Sequence, residues 1–352
     1  MKVLGIESSC DDTSASVVED GQKLLSLANA TSANIHVKYG GVVPEIAARS
    51  HIEVIIPVIN QALDDANCEW NDIDAIAVTY GAGLGGSLLI GVMTARTLAI
   101  THNKPLYAIN HVEAHVYANF LTKTTLEGFK MPLTVPEFPV LAIIVSGGHS
   151  QLVLFKNHFD YLVLGRTQDD AIGEAFDKVA KILGLPYPGG PSVAKIAESG
   201  DPLAYKLPIA HMPGYDFSYS GPKTAVLRLA QSLIGKSYDF PSYKLPERLS
   251  EAQKANIAAS FQYTAVKTIV NKARRARDEY KPKSVVLAGG VAANQELRKQ
   301  LTEAIPLPLS FPDIKLCTDN GAMIATLGYF TAKANKSQAD PYSLEIKPNL
   351  KM

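Results

Sequence analysis

Residues 3–18 read VLGIESSCDDTSASVV. Val3 to Ile6 and Ser14 to Val18 are short apolar runs, and Ser8-Ser9-Cys10-Asp11-Asp12 between them is a polar turn, so the stretch predicts a β-hairpin. Residues 139–155, PVLAIIVSGGHSQLVLF, repeat this pattern about 139 positions further on, with Ser146-Gly147-Gly148-His149-Ser150 at the turn. A hairpin met twice points to a duplicated domain. A second unit also recurs. Ala75 to Thr79 reads as a strand ending in Gly81-Ala82-Gly83-Leu84-Gly85-Gly86-Ser87 before an apolar helix, Leu88 to Ile100. Ser284 to Ala288 likewise ends in Gly289-Gly290-Val291-Ala292-Ala293-Asn294 before a polar helix from Gln295. Such strand, loop and helix units turn backbone N–H groups toward an anion. For either loop alone a tight turn without ligand is an equal reading; the pair favours a nucleotide cleft between two lobes.

The rest of the chain fits this plan. Thr122 to Phe138 has weak periodicity and prolines, which places the crossover between lobes there. Ile172 to Leu183 has helical apolar spacing, and Pro186-Tyr187-Pro188-Gly189-Gly190-Pro191 is expected to stop that helix. Residues 235–246 form a polar and aromatic insertion, and Glu251 to Glu279 reads as one or two long helices. Asp319 to Ala334 reads as a last helix that packs back onto the first lobe. The expected fold class is α/β, with one lobe of residues 1–128 plus about 320–352 and the other of residues 129–319.

Composition sets the outer bounds. The chain has 352 residues, 47% hydrophobic and 19% charged, which excludes a disordered chain and suits two domains. Lys+Arg and Asp+Glu are both 34, so the net charge is zero and any nucleic-acid contact must come from a local patch. The 3 cysteines, Cys10, Cys68 and Cys317, share no CxxC spacing, against a disulfide framework or a cysteine zinc site. Glu7 follows the first apolar stretch too soon for a signal peptide, and no apolar run approaches a membrane span. A cytoplasmic protein is expected.

Three sets of residues carry chemistry. His111 and His115 stand four apart, so on a helix they share one face, where two imidazoles can hold a metal. Two packed histidines are the competing reading. A zinc-protease motif would need Glu directly after the first His; Glu113 comes one position later, turned by about 100°. Such a site needs a further ligand, commonly a carboxylate, with Asp319, Asp11 and Asp12 as candidates. Asp319 could equally be a plain helix cap. Next, Asp169, Asp170, Glu174 and Asp177 gather at one helix start, suited to a cation or ribose hydroxyls. Complementing the helix dipole would explain Asp169 and Asp170 but not Asp177, two turns in. Finally, Lys272, Arg274, Arg275, Arg277, Lys281 and Lys283 are the densest basic run. It is a solvated helix face or a phosphate contact, with Arg274, Arg275 and Arg277 as the candidates for such a contact.

Seven motifs occur together in order. They are Gly5-Ile6-Glu7-Ser8-Ser9-Cys10-Asp11-Asp12-Thr13, Tyr39-Gly40-Gly41-Val42-Val43-Pro44-Glu45, His111-Val112-Glu113-Ala114-His115, Ser146-Gly147-Gly148-His149-Ser150, Gly173-Glu174-Ala175-Phe176-Asp177-Lys178, Tyr187-Pro188-Gly189-Gly190-Pro191 and Thr318-Asp319-Asn320-Gly321-Ala322-Met323. Over nearly its whole length the chain resembles the tRNA threonylcarbamoyladenosine synthase family TsaD, formerly called O-sialoglycoprotein endopeptidase or Gcp. The resemblance implies two ribonuclease-H-like lobes of the actin, sugar-kinase and Hsp70 (ASKHA) type. It implies an acyltransferase that moves threonylcarbamoyl from threonylcarbamoyl-adenylate to the exocyclic amine of the adenosine 3′ of the anticodon, in tRNAs reading ANN codons, releasing AMP.

The resemblance further implies one divalent metal per subunit, Fe2+ with Zn2+ as the alternative, held by His111, His115 and Asp319. Ile144, Val145, Ser146, Gly147, Gly148, Asp177, Gly190 and Asn294 match the positions that hold the adenylate. Asp11 and Asp12 are the nominees to take the amine proton. TsaB and the ATPase TsaE are the implied protein partners, with no membrane. Ala82 stands where the family often has Pro, Gly85 adds a glycine, Pro222 replaces a usual Leu or Met, and Asn110 replaces a frequent His. The rivals are a sugar or acetate kinase of the same fold and a non-catalytic partner such as TsaB. The first would carry Asp-x-Gly-x at the first turn, and the second would lack the metal histidines.

Overall fold

The expected hairpin is present: β1 (Lys2–Glu7) and β2 (Asp12–Glu19) pair antiparallel, with Ile6 opposite Ala15. In the computed structural model, which describes residues 1–352, the chain continues through β3 (Lys23–Leu24), β4 (Ala28–Thr31), α1 (Ala33–His36), α2 (Pro44–Asp65), β5 (Ala75–Gly81), α3 (Gly85–Thr101), β6 (Leu106–Asn110), α4 (His111–Tyr117) and β7 (Lys123–Thr124). Next come β8 (Val140–Val145), β9 (Ser150–Asn157), β10 (Asp160–Arg166), α5 (Ile172–Leu183), α6 (Gly189–Ala197), α7 (Ser220–Leu233) and α8 (Glu251–Tyr280). The chain ends through β11 (Ser284–Ala288), α9 (Gln295–Ala304), β12 (Leu309–Ser310) and α10 (Gly321–Lys333). No helix is long and apolar enough to cross a membrane.

The chain divides into two compact units, residues 1–136 with 310–352, and residues 137–309. The boundaries fall there and not at 128/129 and 319/320 because the returning segment holds 128–130: Asp313 accepts from the Lys130 N–H, and Lys315 donates to the Gly128 carbonyl. The first unit's sheet runs β6-β5-β1-β2-β3-β7, with β4 also on β2; the second unit's runs β10-β9-β8-β11-β12. In each, an antiparallel hairpin (β1/β2 or β8/β9) carries a parallel strand, β5 or β11, beside its first member. The ribonuclease-H-like arrangement therefore occurs twice.

Side-chain alternation decides what each face of the first sheet meets. Leu4 and Ile6 of β1 join Ile76 and Val78 of β5 in a buried cluster with Ile55 and Ile59 of α2 and Val92 of α3. The odd residues of β1 face α10. There the backbones approach so closely that a Cβ on Gly5 would stand 2.1 Å from the Gly321 carbonyl oxygen, and one on Gly321 2.7 Å from the Gly5 oxygen. Only glycine at both positions allows this contact. Glu7 is the last odd residue of β1 and therefore emerges on the same face, two residues beyond Gly5.

Two helix boundaries differ from the sequence expectation, and a third stretch is settled as one helix of the one or two expected. The segment around Gly189-Gly190-Pro191 does not merely stop a helix but begins α6, because first-turn N–H groups lack intrahelical partners and proline costs nothing there. Likewise α3 starts at Gly85, ahead of the apolar run from Leu88. Residues 251–280 form one helix, opened by a Ser250/Gln253 capping box and closed at Lys281 with φ +47°. No glycine or proline interrupts it.

Candidate metal centre and glycine turn

Helix α4 begins where β6 ends, and Asn110 caps it: its side-chain oxygen accepts from the N–H groups of Val112 and Glu113 at 2.9 and 3.2 Å. The residue in place of the family's frequent histidine thus supplies the helix start. One turn then aligns His111 and His115, whose rings lie 4.7 Å apart at 77°. The Asp319 carboxylate approaches both, 3.5 Å from His111 Nε2 and 3.3 Å from His115 Nε2. The neighbouring Asn320, and not Asp319, caps α10, accepting from the Met323 N–H at 3.0 Å. The plain-cap reading of Asp319 is thereby corrected by one position.

His111, His115 and Asp319 offer ligand atoms all within 4.8 Å of one another, and these donors fit a divalent ion. Neither ring nitrogen of the buried His115 has a hydrogen-bond partner, an arrangement that costs free energy unless a ligand takes up the lone pair. Burial opposes a charged His111, yet the carboxylates of Asp319 and Glu7 outweigh it and raise the imidazole to about 9. For Glu7, burial alone would raise the carboxyl, and His111 holds it below its ordinary value instead. Sequence reasoning gave Glu7 no role at the site, using it only against a signal peptide and as part of the first motif. Glu113 lies outside the cluster; burial, opposed by Lys336, pushes its carboxyl up to about 7.

The first turn is rigidly stitched. His51 spans it, with Nδ1 2.7 Å from Thr13 Oγ1 and Nε2 3.0 Å from the Cys10 carbonyl. Burial is the main cause that lifts Asp12 to about 6, with the Thr31 hydroxyl opposing. The same burial pushes the Cys10 thiol far up, so it is no nucleophile. The Gly81 to Ser87 loop has two of its N–H groups engaged within the protein. Its N–H groups at Gly83 and Leu84 donate to the carbonyls of Pro348 and Ser9.

In the second unit, the Ser146 to Ser150 turn joins β8 to β9. Its ends are closed by Ser146 N–H to the His149 carbonyl and His149 N–H to Ser146 Oγ, while Gly147 and Gly148 are exposed with open space above them. The first turn of α5 sits beneath, where a Cβ on Gly173 would stand 2.7 Å from the Ser146 oxygen. Ile144 and Val145 are buried strand residues leading into the turn. Asp177 accepts from the Gly189 N–H at 2.7 Å and so ties α5 to α6, beside the open Gly190; burial raises its carboxyl, this hydrogen bond opposing. Asn294 is occupied as the cap of α9, accepting from Leu297 N–H at 3.0 Å and donating to Gln262 Oε1 at 2.9 Å.

Asp169 and Asp170 do more than complement a helix dipole. Asp169 accepts from Ser218 Oγ, Ser220 Oγ and the Tyr219 N–H. Asp170 pairs with Lys178 at 2.5 Å and Lys223 at 2.6 Å, clamping the starts of α5 and α7 together. Burial would raise the Asp170 carboxyl, but the two lysines hold it below its ordinary value. Its contribution to stability is therefore present above the ordinary aspartate range and lost as pH falls through it. Asp170→Ala is expected to lower the unfolding free energy read from urea titration by about 1 to 2 kcal/mol at pH 7, discounted for partial exposure, with the difference from wild type shrinking below about pH 4. The basic run on α8 is partly committed to the fold. Arg275 lies 4.2 Å over the Tyr215 ring and donates to the Gly214 carbonyl, and Arg277 binds Asp278 and the Ala304 carbonyl.

Comparison with known proteins decides the family. Residues 23–326 match the profile of TsaD, tRNA N6-adenosine threonylcarbamoyltransferase. The chain belongs to that family. A TsaD relative named tRNA N6-adenosine threonylcarbamoyltransferase from Thermomicrobium roseum is 48% identical over 341 residues, 95% of this chain and 92% of the relative. One of the same name from Dehalococcoides mccartyi is 47% identical over 352 residues, 99% of each. Solved structures show the fold of this TsaD chain to be shared more widely. HypF from T. kodakarensis aligns with TM-score 0.63 at 13% identity over 96% of this chain and 49% of its own. Component A of (R)-2-hydroxyglutaryl-CoA dehydratase from Acidaminococcus fermentans aligns with TM-score 0.51 at 17% identity, over 95% of this chain and 99% of its own. The TsaD fold here is the α/β architecture of the actin, sugar-kinase and Hsp70 type.

Proposed function

We propose that the chain transfers the threonylcarbamoyl group from threonylcarbamoyl-adenylate to N6 of the adenosine 3′ of the anticodon, in tRNAs reading ANN codons. Membership of the TsaD family, whose relatives carry that activity in their name, and the three converging ligands His111, His115 and Asp319 carry this reading. In the reaction the N6 amine attacks the carbamoyl carbon, the bond from that carbon to the AMP phosphate oxygen breaks, AMP leaves and the amine loses a proton.

When bound, a divalent ion supplies positive charge that polarises an acyl oxygen and offsets developing negative charge; Fe2+ suits two imidazoles and a carboxylate, as does Zn2+. His111, His115 and Asp319 hold it. Exposed N–H groups at Gly147 and Gly148 donate to phosphate or acyl oxygens, and Asp177 accepts from ribose hydroxyls beside Gly190. Asp12, lifted to about 6 by burial, is a better proton acceptor than an ordinary carboxylate and takes the amine proton, with Asp11 beside it in the turn. Arg274, exposed on α8, contributes a phosphate contact to tRNA, while Arg275 and Arg277 shape the surface around it. The adenosine must leave its stack, which costs less in an anticodon loop than in a duplex.

The work is cytoplasmic and shared with TsaB and TsaE. Support for a protein partner comes from α2 and α3, which pack together and leave Ile52, Ile56, Leu89 and Met93 exposed, paired four apart on each helix.

Incubation with threonylcarbamoyl-adenylate and an ANN-reading tRNA should give threonylcarbamoyladenosine by nucleoside mass spectrometry. Complete absence of that nucleoside, with partners supplied, would refute the proposal. Asp12→Asn should lower kcat by roughly 100-fold or more with little change in KM; an unchanged kcat would remove Asp12 from the mechanism.

A further inference from the structure

We propose that Glu7 is the positioning residue of the metal centre, its carboxylate accepting a hydrogen bond from the Nδ1–H of His111 and so presenting Nε2 as the ligand atom. The inference rests on the metal reading above. Glu7 is fully buried at the end of β1. Its Oε1 accepts from the Ser9 N–H at 2.5 Å, and its Oε2 accepts from Thr79 Oγ1 at 2.6 Å and lies 3.1 Å from His111 Nδ1. The alternation of β1 and its parallel register with β5, Ile6 beside Val78, bring Glu7 and Thr79 to one face.

An ionised carboxylate only accepts hydrogen bonds, so the proton in the contact with His111 sits on the imidazole. With that proton held on Nδ1, the ring can ligate an ion only through Nε2, the atom that faces Asp319. Ser9 Oγ is also 3.1 Å from the same Nδ1, but a hydroxyl can donate or accept and would leave the tautomer open. Glu7 closes that choice. A buried carboxylate is costly unless its partners converge on it, and the strand end gains nothing from a charge there. Ligand histidines are commonly held in this way by a carboxylate on the far nitrogen. The two histidines are therefore unequal: His111 is oriented by Glu7, whereas His115 Nδ1 has no hydrogen-bond partner.

The test uses metal-free full-length protein titrated with Co2+, reading affinity by calorimetry and geometry by visible absorption. Glu7→Gln, whose amide can donate to Nδ1 and so favour the wrong tautomer, should bind Co2+ about 10- to 100-fold more weakly, with an altered spectrum. Thr79→Val removes a bond to the same carboxylate oxygen but leaves the carboxylate on His111, and should keep the wild-type spectrum. Equal Co2+ binding by wild type and Glu7→Gln overturns the inference alone, and so does an equal loss in Thr79→Val, which would make the effect one of packing. A wild type that binds no Co2+ overturns the metal reading with it. Should Glu7→Gln not fold, 15N histidine spectra of Zn2+-loaded wild type decide: an Nδ1–H, Nε2-ligated His111 supports the inference, and the opposite tautomer refutes it.

Discussion

Joint replacement of His111 and His115 by alanine is expected to abolish metal binding and to reduce threonylcarbamoyl transfer by roughly 1,000-fold or more. A bound cation contributes several kcal/mol of charge stabilisation, and each ~1.4 kcal/mol is tenfold in rate. Metal analysis and the yield of modified nucleoside check the two parts separately. The double variant also leaves Glu7 buried without its imidazole partner, so a stability loss of about 3 kcal/mol should accompany the loss of activity. Asp319→Asn separates these effects. Its side chain keeps its volume and is 24% exposed, so it should retain the fold while losing most of the metal. Full transfer by the double variant would sink the metal mechanism.

A second large effect is expected at Gly5, which carries no ligand itself. A methyl group there meets the Gly321 carbonyl at 2.1 Å and the Ala325 nitrogen at 2.4 Å, both backbone atoms of α10 that cannot rotate away. Helix α10 must move, and overpacking of this kind costs about 3 kcal/mol. Asp319 stands just before α10, so Gly5→Ala should lose metal affinity together with stability. The urea midpoint and a Co2+ titration read the two losses. A variant with wild-type values in both would show that the sheet and helix can part without cost.

The repeated hairpin was legible because two apolar strands and a polar turn make a local pattern, and the structure places β1/β2 and β8/β9 in equivalent sheets. The His111/His115 pair was equally legible, since four positions on a helix fix a face. Asp319 was one of three candidates on spacing alone, because its approach depends on the return of α10 to β1. Glu7 was invisible for a related reason: its partners Thr79 and His111 meet it only through strand register. That the Gly83 and Leu84 N–H groups are taken up by the carbonyls of Pro348 and Ser9 was not legible, because composition does not show which loop amides are already paired. For Arg275 and Arg277 the charge was visible and the carbonyl partners were not.

The first unit is interrupted in sequence by the whole of the second. During synthesis His111 and His115 leave the ribosome long before Asp319, and residues 137–309 form a continuous stretch that can fold in between. A nascent chain that has not yet passed Asp319 holds two of the three ligands and lacks the helix that backs β1. The three-ligand cluster is therefore completed only by the last part of the chain, and a product that ends before Asp319 lacks it.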